Sequence, residues 1–136
     1  MRVIALVFAL ALFSSDAAAQ GIAEKCGSHP GLLRDEAGKL VWFSSSQLQS
    51  MASTQVIPEP VHAGGLSFKG VVHLKIMVSS GGDVICIWDV KGHPLMLTSA
   101  VKAAHEWKFK PKIENRKPTE FVGILELPVS ANGDGF

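Results

Sequence analysis

The sequence has no excess of charge of either sign. Thirteen Lys and Arg residues nearly balance twelve Asp and Glu residues, so the formal net charge is +1 at pH 7. A balance of this kind produces no strong field of one sign over the surface of a protein. The sequence therefore gives no reason to expect nucleic-acid binding, or a partner that is steered in by charge.

Long apolar runs are absent beyond the first residues. Residues 3–13 are apolar and follow Arg2, and residues 17–19 form an Ala-x-Ala pattern. This run falls short of the roughly 20 apolar residues that a membrane-spanning helix needs, and it is typical of a secretory signal peptide. We expect residues 1–19 to be cleaved after Ala19, leaving one exported domain with no membrane span. An uncleaved membrane anchor is the alternative.

Cysteine is scarce, because Cys26 and Cys86 are the only two in the chain. Export leads to an oxidising compartment, where the two can form a disulfide. The bond would close a loop of about 60 residues and contribute roughly 4 kcal/mol in the chain-entropy model. Two free thiols are the alternative. A zinc site is a weaker one, since Cys26 and His29 form a Cys-x-x-His pair without a second pair at finger spacing.

Catalytic motifs are lacking as well. The five histidines and the carboxylates are dispersed, and no glycine-rich loop leads from a strand into a helix to hold a phosphate. We interpret Asp83 as a turn residue and Asp89 as the mark of a strand edge or bulge. The sequence therefore predicts no enzyme, no cofactor and no metal site. A polar cleft that gathered His73, His93 or His105 with a carboxylate would reverse this interpretation.

The N-terminal extension, residues 20–55, is predicted to contain two small elements. Residues 32–34 and 40–43 flank a glycine-containing turn and form a short hairpin. A short helix follows, and one of Ser44, Ser45 or Ser46 can cap it by accepting hydrogen bonds from free backbone N–H groups. Its apolar residues at helical spacing would face a core; they are Leu48, Met51 and Ala52.

The clearest strand signals lie in residues 56–130, after an irregular lead-in over residues 56–70. Residues 71–78 alternate between apolar and polar side chains, which is typical of a half-buried strand. Residues 84–90 are rich in β-branched and aromatic residues and form a second strand. The short glycine-containing connection between the two strands predicts a β-hairpin.

A helix and a third strand complete the predicted domain. Pro94 suits the first helical position, and the apolar residues up to Trp107 recur at helical spacing. Residues 121–129 form the third strand, which is ended by Pro128, and residues 131–136 form a disordered tail. The expected class is α+β: a two-layer fold with an antiparallel three-stranded sheet and a helix on one face (β-β-α-β), preceded by the small hairpin and short helix.

Three motifs follow one another between residues 70 and 129. "GVVHLKIMV" with "GGDV", "GHPLM" with "WKFKP", and "NRKP" before an alternating strand together resemble the TonB C-terminal domain, the periplasmic end of bacterial energy-transducing proteins. The resemblance implies that the signature residues build the turn, the helix and its aromatic tail rather than a catalytic site. These residues are Gly92, His93, Pro94, Trp107, Phe109 and Pro111.

The resemblance also implies a function by strand addition. Members of the family grip a short extended segment of an outer-membrane transporter, the TonB box, at the edge of their last strand. Carried over, that edge consists of Phe121, Val122, Gly123, Ile124, Leu125, Glu126 and Leu127. The chain departs from the family in its short apolar start, in having no Pro-rich spacer and no Tyr-Pro before the first strand, and in Arg116 where a glycine is usual. We therefore expect binding without energy transduction.

The resemblance implies a non-enzymatic binding module in the periplasm that is related to transmembrane transport. Its partner would be an envelope protein, such as the N-terminal segment of a TonB-dependent outer-membrane transporter. The alternative is a structural or assembly protein that uses the same edge for docking or for forming a homodimer. An exposed strand edge offers unpaired N–H and C=O groups. The sequence leaves open whether Pro128, Glu126 or the N-terminal hairpin blunts it.

Overall fold

The computed structural model describes residues 25–132, with the exception of residues 63 and 66. The predicted signal peptide at residues 1–19 and the last part of the predicted tail, residues 133–136, lie outside the described residues. In the described part, none of the helices has the length and apolar character needed to span a membrane.

The main sheet has five strands within the described residues, so the predicted three-stranded sheet is not confirmed. The five strands are Trp42–Phe43 (β1), Val61–His62 (β3), Phe68–Val78 (β4), Val84–Lys91 (β5) and Phe121–Asn132 (β9). They run in the order β1-β9-β4-β5, and β3 also pairs with β9. The α+β class itself is confirmed.

The remaining elements are short and attach to this sheet. The two described helices are Ser45–Met51 (α1) and Leu97–Glu106 (α2), and a single 3₁₀ turn, Pro94–Met96, precedes α2. Four further strands are Ala52–Thr54 (β2), Lys108–Phe109 (β6), Lys112–Glu114 (β7) and Lys117–Thr119 (β8). They form two separate two-stranded ladders, one of β2 with β6 and one of β7 with β8.

The segment before the last strand is a short hairpin. β7 and β8 are joined by Asn115 and Arg116, which take the left-handed φ values of 49° and 64°. A two-residue hairpin turn with positive φ at both positions matches the right-handed twist of its strands. Arg116 therefore adopts a left-handed backbone conformation that glycine takes more readily than other residues.

The last strand is longer than predicted because Pro128 does not end it. All 11 residues of β4 pair with β9, and Phe68 at the start of β4 reaches Ala131. The Glu126 N–H points away from β4, since it donates to the Ser45 Oγ at 3.0 Å. Residues two apart in a strand direct their backbone groups to the same side. The N–H that Pro128 lacks therefore falls on the outer side, where β4 loses no hydrogen bond.

The main core lies between the sheet and the helices. The residues of β4 that were predicted to share one face are fully buried there, together with Leu48 of α1 and with Ala100 and Ala104 of α2. Fully burying side chains of this size contributes about 1.5–3 kcal/mol each. The face is formed by Val72, Leu74, Ile76 and Val78.

The N-terminal segment covers one end of the opposite face, which adds a third layer there. The chain reverses between Arg34 and Leu40, which form one bridge, whereas Trp42 and Phe43 of the predicted second hairpin strand pair with β9 instead. Leu32 and Leu40 form a second buried cluster with Met77, Trp88 and Val122. The predicted disulfide between Cys26 and Cys86 is also present, with a Cα–Cα distance of 5.8 Å. It ties this segment to β5.

The turn between β4 and β5 depends on one glycine. Gly82 has a φ of 92°, its carbonyl accepts the Phe109 N–H at 2.9 Å, and an added Cβ would overlap the Phe109 carbonyl. We expect Gly82→Ala to lower the free energy of unfolding by about 2–5 kcal/mol through backbone strain and overpacking. Chemical denaturation with urea measures this change.

The neighbouring glycine provides the control. A Cβ on Gly81 would meet only the Ser79 Oγ at 3.8 Å, and Gly81 has no left-handed φ. Gly81→Ala should therefore change the free energy of unfolding by no more than about 0.5 kcal/mol. Equal destabilisation by both substitutions would contradict this account of the turn.

Candidate functional site

The predicted partner-binding edge, residues 121–127, lies in the first half of β9. One side of β9 pairs with β4, so only its other side, the outer edge, can accept a further strand. Two-residue strands of the same chain cover the two ends of this outer edge, and both run parallel to β9. The pairs are Trp42 with Val122, Phe43 with Gly123, Val61 with Ala131 and His62 with Asn132.

The middle of the outer edge, residues 124–130, is defined here as the edge window. Among the described residues, no strand pairs with the edge window on its outer side. By the alternation along the strand, the outward backbone groups belong to Ile124, Glu126, Pro128 and Ser130. The Glu126 N–H is bonded to Ser45 and Pro128 has none. The centre of the window therefore offers carbonyl acceptors rather than N–H donors.

Gly123 allows the N-terminal elements to lie close to β9 at the start of the window. A Cβ at this position would be 2.8 Å from the Leu48 Cδ1 and 3.0 Å from the Phe43 carbonyl oxygen. Any larger residue would push α1 or β1 away from the strand. The first three residues of the predicted edge are thus covered by the chain itself, and the remainder lies in the window.

Side chains along the window alternate between the core and an open face of the sheet. Leu125 and Leu127 are buried against the helices. Ile124 is 38% exposed on the open face, where the Glu126 Oε1 lies 3.4 Å from the His73 Nδ1 on β4. Val71 of β4, which is 49% exposed, lies on the same face opposite Pro128. The open face beside the window therefore combines exposed apolar side chains with one carboxylate–imidazole pair.

A charged cluster lies on the same face, where β5 bulges. Asp89 has a φ of 50°, and the pairing of β4 with β5 shifts register there, which confirms the bulge that its sequence position suggested. Its Oδ2 lies 2.8 Å from the Lys75 Nζ and 4.0 Å from the Lys91 Nζ. The hydrogen bond from Lys75 lowers the pKa of Asp89; slight burial opposes this, and the charges of both lysines add to it. These residues line a shallow depression of about 220 Å³.

The histidines occupy separate places. The His29 Nδ1 lies 3.2 Å from the Glu120 Oε2, and the His93 Nδ1 accepts the Leu95 N–H at the start of the 3₁₀ turn. Within residues 25–132, positions 63 and 66 aside, no group of three or more His, Cys, Asp or Glu side chains could hold a metal ion. The predicted absence of catalysis remains a prediction.

The first three signature residues form the turn into the helix. A Cβ on Gly92 would lie 2.9 Å from the Val72 Cγ2, so the chain passes close to β4 at this point. His93 caps the 3₁₀ turn with its side chain, and Pro94 occupies the first helical position, where its missing N–H has no bond to make.

The other signature residues join the helix to the core. Trp107 ends α2 and donates its indole N–H to the Val56 carbonyl at 2.9 Å. The Phe109 ring lies 6.0 Å from the Trp107 ring and 5.9 Å edge-on from the Phe121 ring, between centroids. Pro111 separates β6 from β7. Among these residues, Phe109 contacts the first residue of the predicted edge, Phe121.

A groove that the sequence analysis missed runs between α2 and the segment of residues 56–62. Its volume is about 450 Å³, and the segment is held to the helix by the Ser99 hydroxyl, which donates to the Glu59 carbonyl at 2.6 Å. Ile57 is 81% exposed at its rim. The sequence does not predict this groove, because residues 56–62 contain two prolines, show no periodic pattern and have no regular structure except at β3.

Comparison of the chain with protein-family models, with curated proteins and with solved structures found no match. The resemblance to the TonB C-terminal domain therefore stays a prediction.

The lowered pKa of Asp89 leads to a test of the charged cluster. A carboxylate whose pKa is depressed by folding stabilises the native state above its unfolded pKa and loses this contribution as the pH falls through the folded value. The contribution should therefore be complete above pH 3.8, the ordinary pKa of the group, and be lost progressively as the pH falls below it. We expect Lys75→Met to raise the pKa of Asp89 towards that value, measured by NMR titration of the carboxyl carbon.

Lys91→Met provides the matched control, because the Lys91 Nζ lies 4.0 Å from the Asp89 Oδ2, against 2.8 Å for the Lys75 Nζ. Its removal should raise the pKa of Asp89 by a smaller amount. An Asp89 titration that is unchanged by Lys75→Met would show that the hydrogen bond does not control the carboxylate.

Proposed function

We propose that this chain is a non-enzymatic binding module of the bacterial periplasm. It binds an extended segment of an envelope protein, such as a TonB-dependent outer-membrane transporter, along the outer edge of β9. It acts there as an accessory or a competitor of an energy transducer. The resemblance supplies the class of partner, and the geometry of β9 supports the mode of binding.

The observation that carries the proposal is the edge window. Its outer side has no partner strand among the described residues, although the other side of β9 pairs with β4 over 11 residues. A window of this length suits an average strand of five to six residues. Main-chain hydrogen bonds to an added strand provide affinity, and contacts with alternate side chains provide selectivity.

The window also constrains the partner. The added segment has to donate N–H groups to the outward carbonyls of Ile124, Glu126 and Pro128, so a proline at those donor positions would be excluded. On the open face its side chains would contact Ile124 and the Glu126 carboxylate. A segment with an apolar residue and a basic residue two positions apart fits this surface.

The second candidate function is self-assembly through the opposite edge of the sheet, which is formed by β5. β5 has no partner on its outer side among the described residues, apart from the bridge of Asp83 to Lys108 at its start. Ile85 is 44% exposed on this strand. Two copies could pair there, but the bulge at Asp89 disturbs the edge, and bulges of this kind hinder edge-to-edge association. The edge window is therefore the better-supported site.

Photo-crosslinking in the cell tests the proposal. A crosslinking residue at position 124 should capture the N-terminal segment of an outer-membrane transporter. The same residue at Ile113, which is 55% exposed on β7, should not capture it. Capture of only a second copy of the chain would favour assembly, and equal capture at both positions would contradict a specific edge.

The hydrogen bond from Glu126 to Ser45 provides a second prediction. Ser45→Ala frees the outward N–H of Glu126 for a partner carbonyl, while Ser44 still caps α1. Since one hydrogen bond contributes about 0.5–1.5 kcal/mol net, the partner should bind about 2- to 10-fold more tightly. The yield of crosslinking at position 124 reports the change.

Ser50→Ala is the matched control, because the Ser50 hydroxyl donates within α1, to the Gln47 carbonyl, and makes no bond to β9. Its crosslinking yield should equal that of the wild-type chain. Weaker capture by Ser45→Ala would argue against pairing at the Glu126 position.

A further inference from the structure

We propose that residues 26–43, named here the N-terminal strap, are an intramolecular competitor for the start of the binding edge, and that reduction of the Cys26–Cys86 disulfide releases it. The inference rests on the proposed function and adds its regulation. It also specifies what a partner needs in order to use residues 121–123 in addition to the edge window.

The strap follows β9 from the residue that precedes the strand. The Leu33 N–H donates to the Glu120 carbonyl at 2.9 Å, and Leu32 forms a parallel bridge to Glu120. β1 then pairs with Val122 and Gly123, also in parallel. The backbone sites that an added strand would need at the start of the edge are thus filled by the chain itself.

The two residues of β1 occupy side-chain sites on opposite faces of the sheet. The Trp42 ring lies 6.0 Å from the Trp88 ring, between centroids, and the Lys75 Nζ lies 5.6 Å from the Trp42 ring centre. The Phe43 ring meets the Phe121 ring edge-on at 5.3 Å. Aromatic pairs at these distances are favourable beyond the area that they bury.

These contacts define the kind of segment that can replace β1. It is extended, runs parallel to β9 and carries two consecutive large apolar or aromatic residues. One side chain has to reach Trp88 in the second buried cluster, and the next has to reach Phe121 in the main core. β1 is therefore both the occupant of this part of the edge and a template for the partner.

The disulfide holds the strap across the sheet. Cys86 lies on β5, which β4 separates from β9, so the strap is bonded at one side of the sheet and paired at the other. Without the bond, its start is held by smaller contacts, such as the His29–Glu120 pair and the buried Leu32 and Leu40 side chains. A tether of this kind keeps a competitor at a high effective concentration.

The chemical step is thiol–disulfide exchange with a dithiol. A thiolate of the dithiol attacks one sulfur of the Cys26–Cys86 bond and forms a mixed disulfide, which the second thiolate resolves. The protein S–S bond breaks, both cysteines take up protons as thiols, and the dithiol is oxidised to its own disulfide. Two electrons pass from the dithiol to the protein, so no further reactant is needed.

A peptide that copies residues 39–45, with a fluorescent label, is the probe. Anisotropy titration compares the protein with its disulfide intact and after reduction by a dithiol. We expect the reduced protein to bind the peptide at least about fivefold more tightly, at the lower end of typical coupling between sites. A peptide with alanine in place of Trp42 and Phe43 should bind neither form. Equal binding of the labelled peptide by both forms would overturn the role of the disulfide.

A second variant decides the result even if reduction unfolds the protein. Trp42→Ala with Phe43→Ala removes both aromatic contacts of the competitor and leaves the disulfide intact. It should bind the peptide more tightly than the wild-type oxidised protein does. If it does not, the strap is not a competitor, whatever the reduced protein does.

The crosslinking experiment separates this inference from the proposed function. Capture of an envelope partner at position 124 with the same yield in wild type and in Cys26→Ser with Cys86→Ser would overturn the role of the disulfide and leave the binding function in place. Peptide binding that responds to reduction, with no partner captured at position 124, would support the strap and count against the proposed function.

Discussion

The antiparallel pairing of β4 with β9 is the interaction on which the rest of this structure depends. All 11 residues of β4 take part, and their alternation sends one set of side chains to the helices and the other to the open face. Because β4 pairs along one side of β9, any other strand that pairs with β9 has to do so at its outer edge. The same ladder therefore creates the core and limits where a partner can bind.

The outer edge of β9 is only partly protected, and the protection comes from distant residues. Short parallel strands close its two ends, while Ser45 and Pro128 reduce the donors in between. Natural proteins blunt free edges in such ways to prevent aggregation. Here the blunting is incomplete over residues 124–130. An edge of this kind can stay unpaired in the free protein and still accept a segment of suitable sequence.

Elements with a periodic pattern could be predicted, and contacts between distant short segments could not. The alternation of β4, the helical spacing of α2 and the serine cap of α1 are local properties of the chain, so the sequence contains them. β1 and β3 have two residues each and no periodicity. The burial of Met77 depends on a cover formed by Leu32 and Leu40. The predicted edge at residues 121–127 identified the strand, but its coverage by the chain depends on tertiary contacts.

Amide hydrogen exchange along β9 in the oxidised protein tests most directly whether the outer edge is open in the middle. If the outer edge is open, the exchange rate should alternate along β9. The N–H groups that face β4, such as those of Leu125 and Leu127, should exchange slowly. The Glu126 N–H, bonded only to the hydroxyl of the half-buried Ser45, exchanges at least about tenfold faster. Uniformly slow exchange over residues 124–130 would mean that the outer edge is already paired, and it would contradict a binding site there.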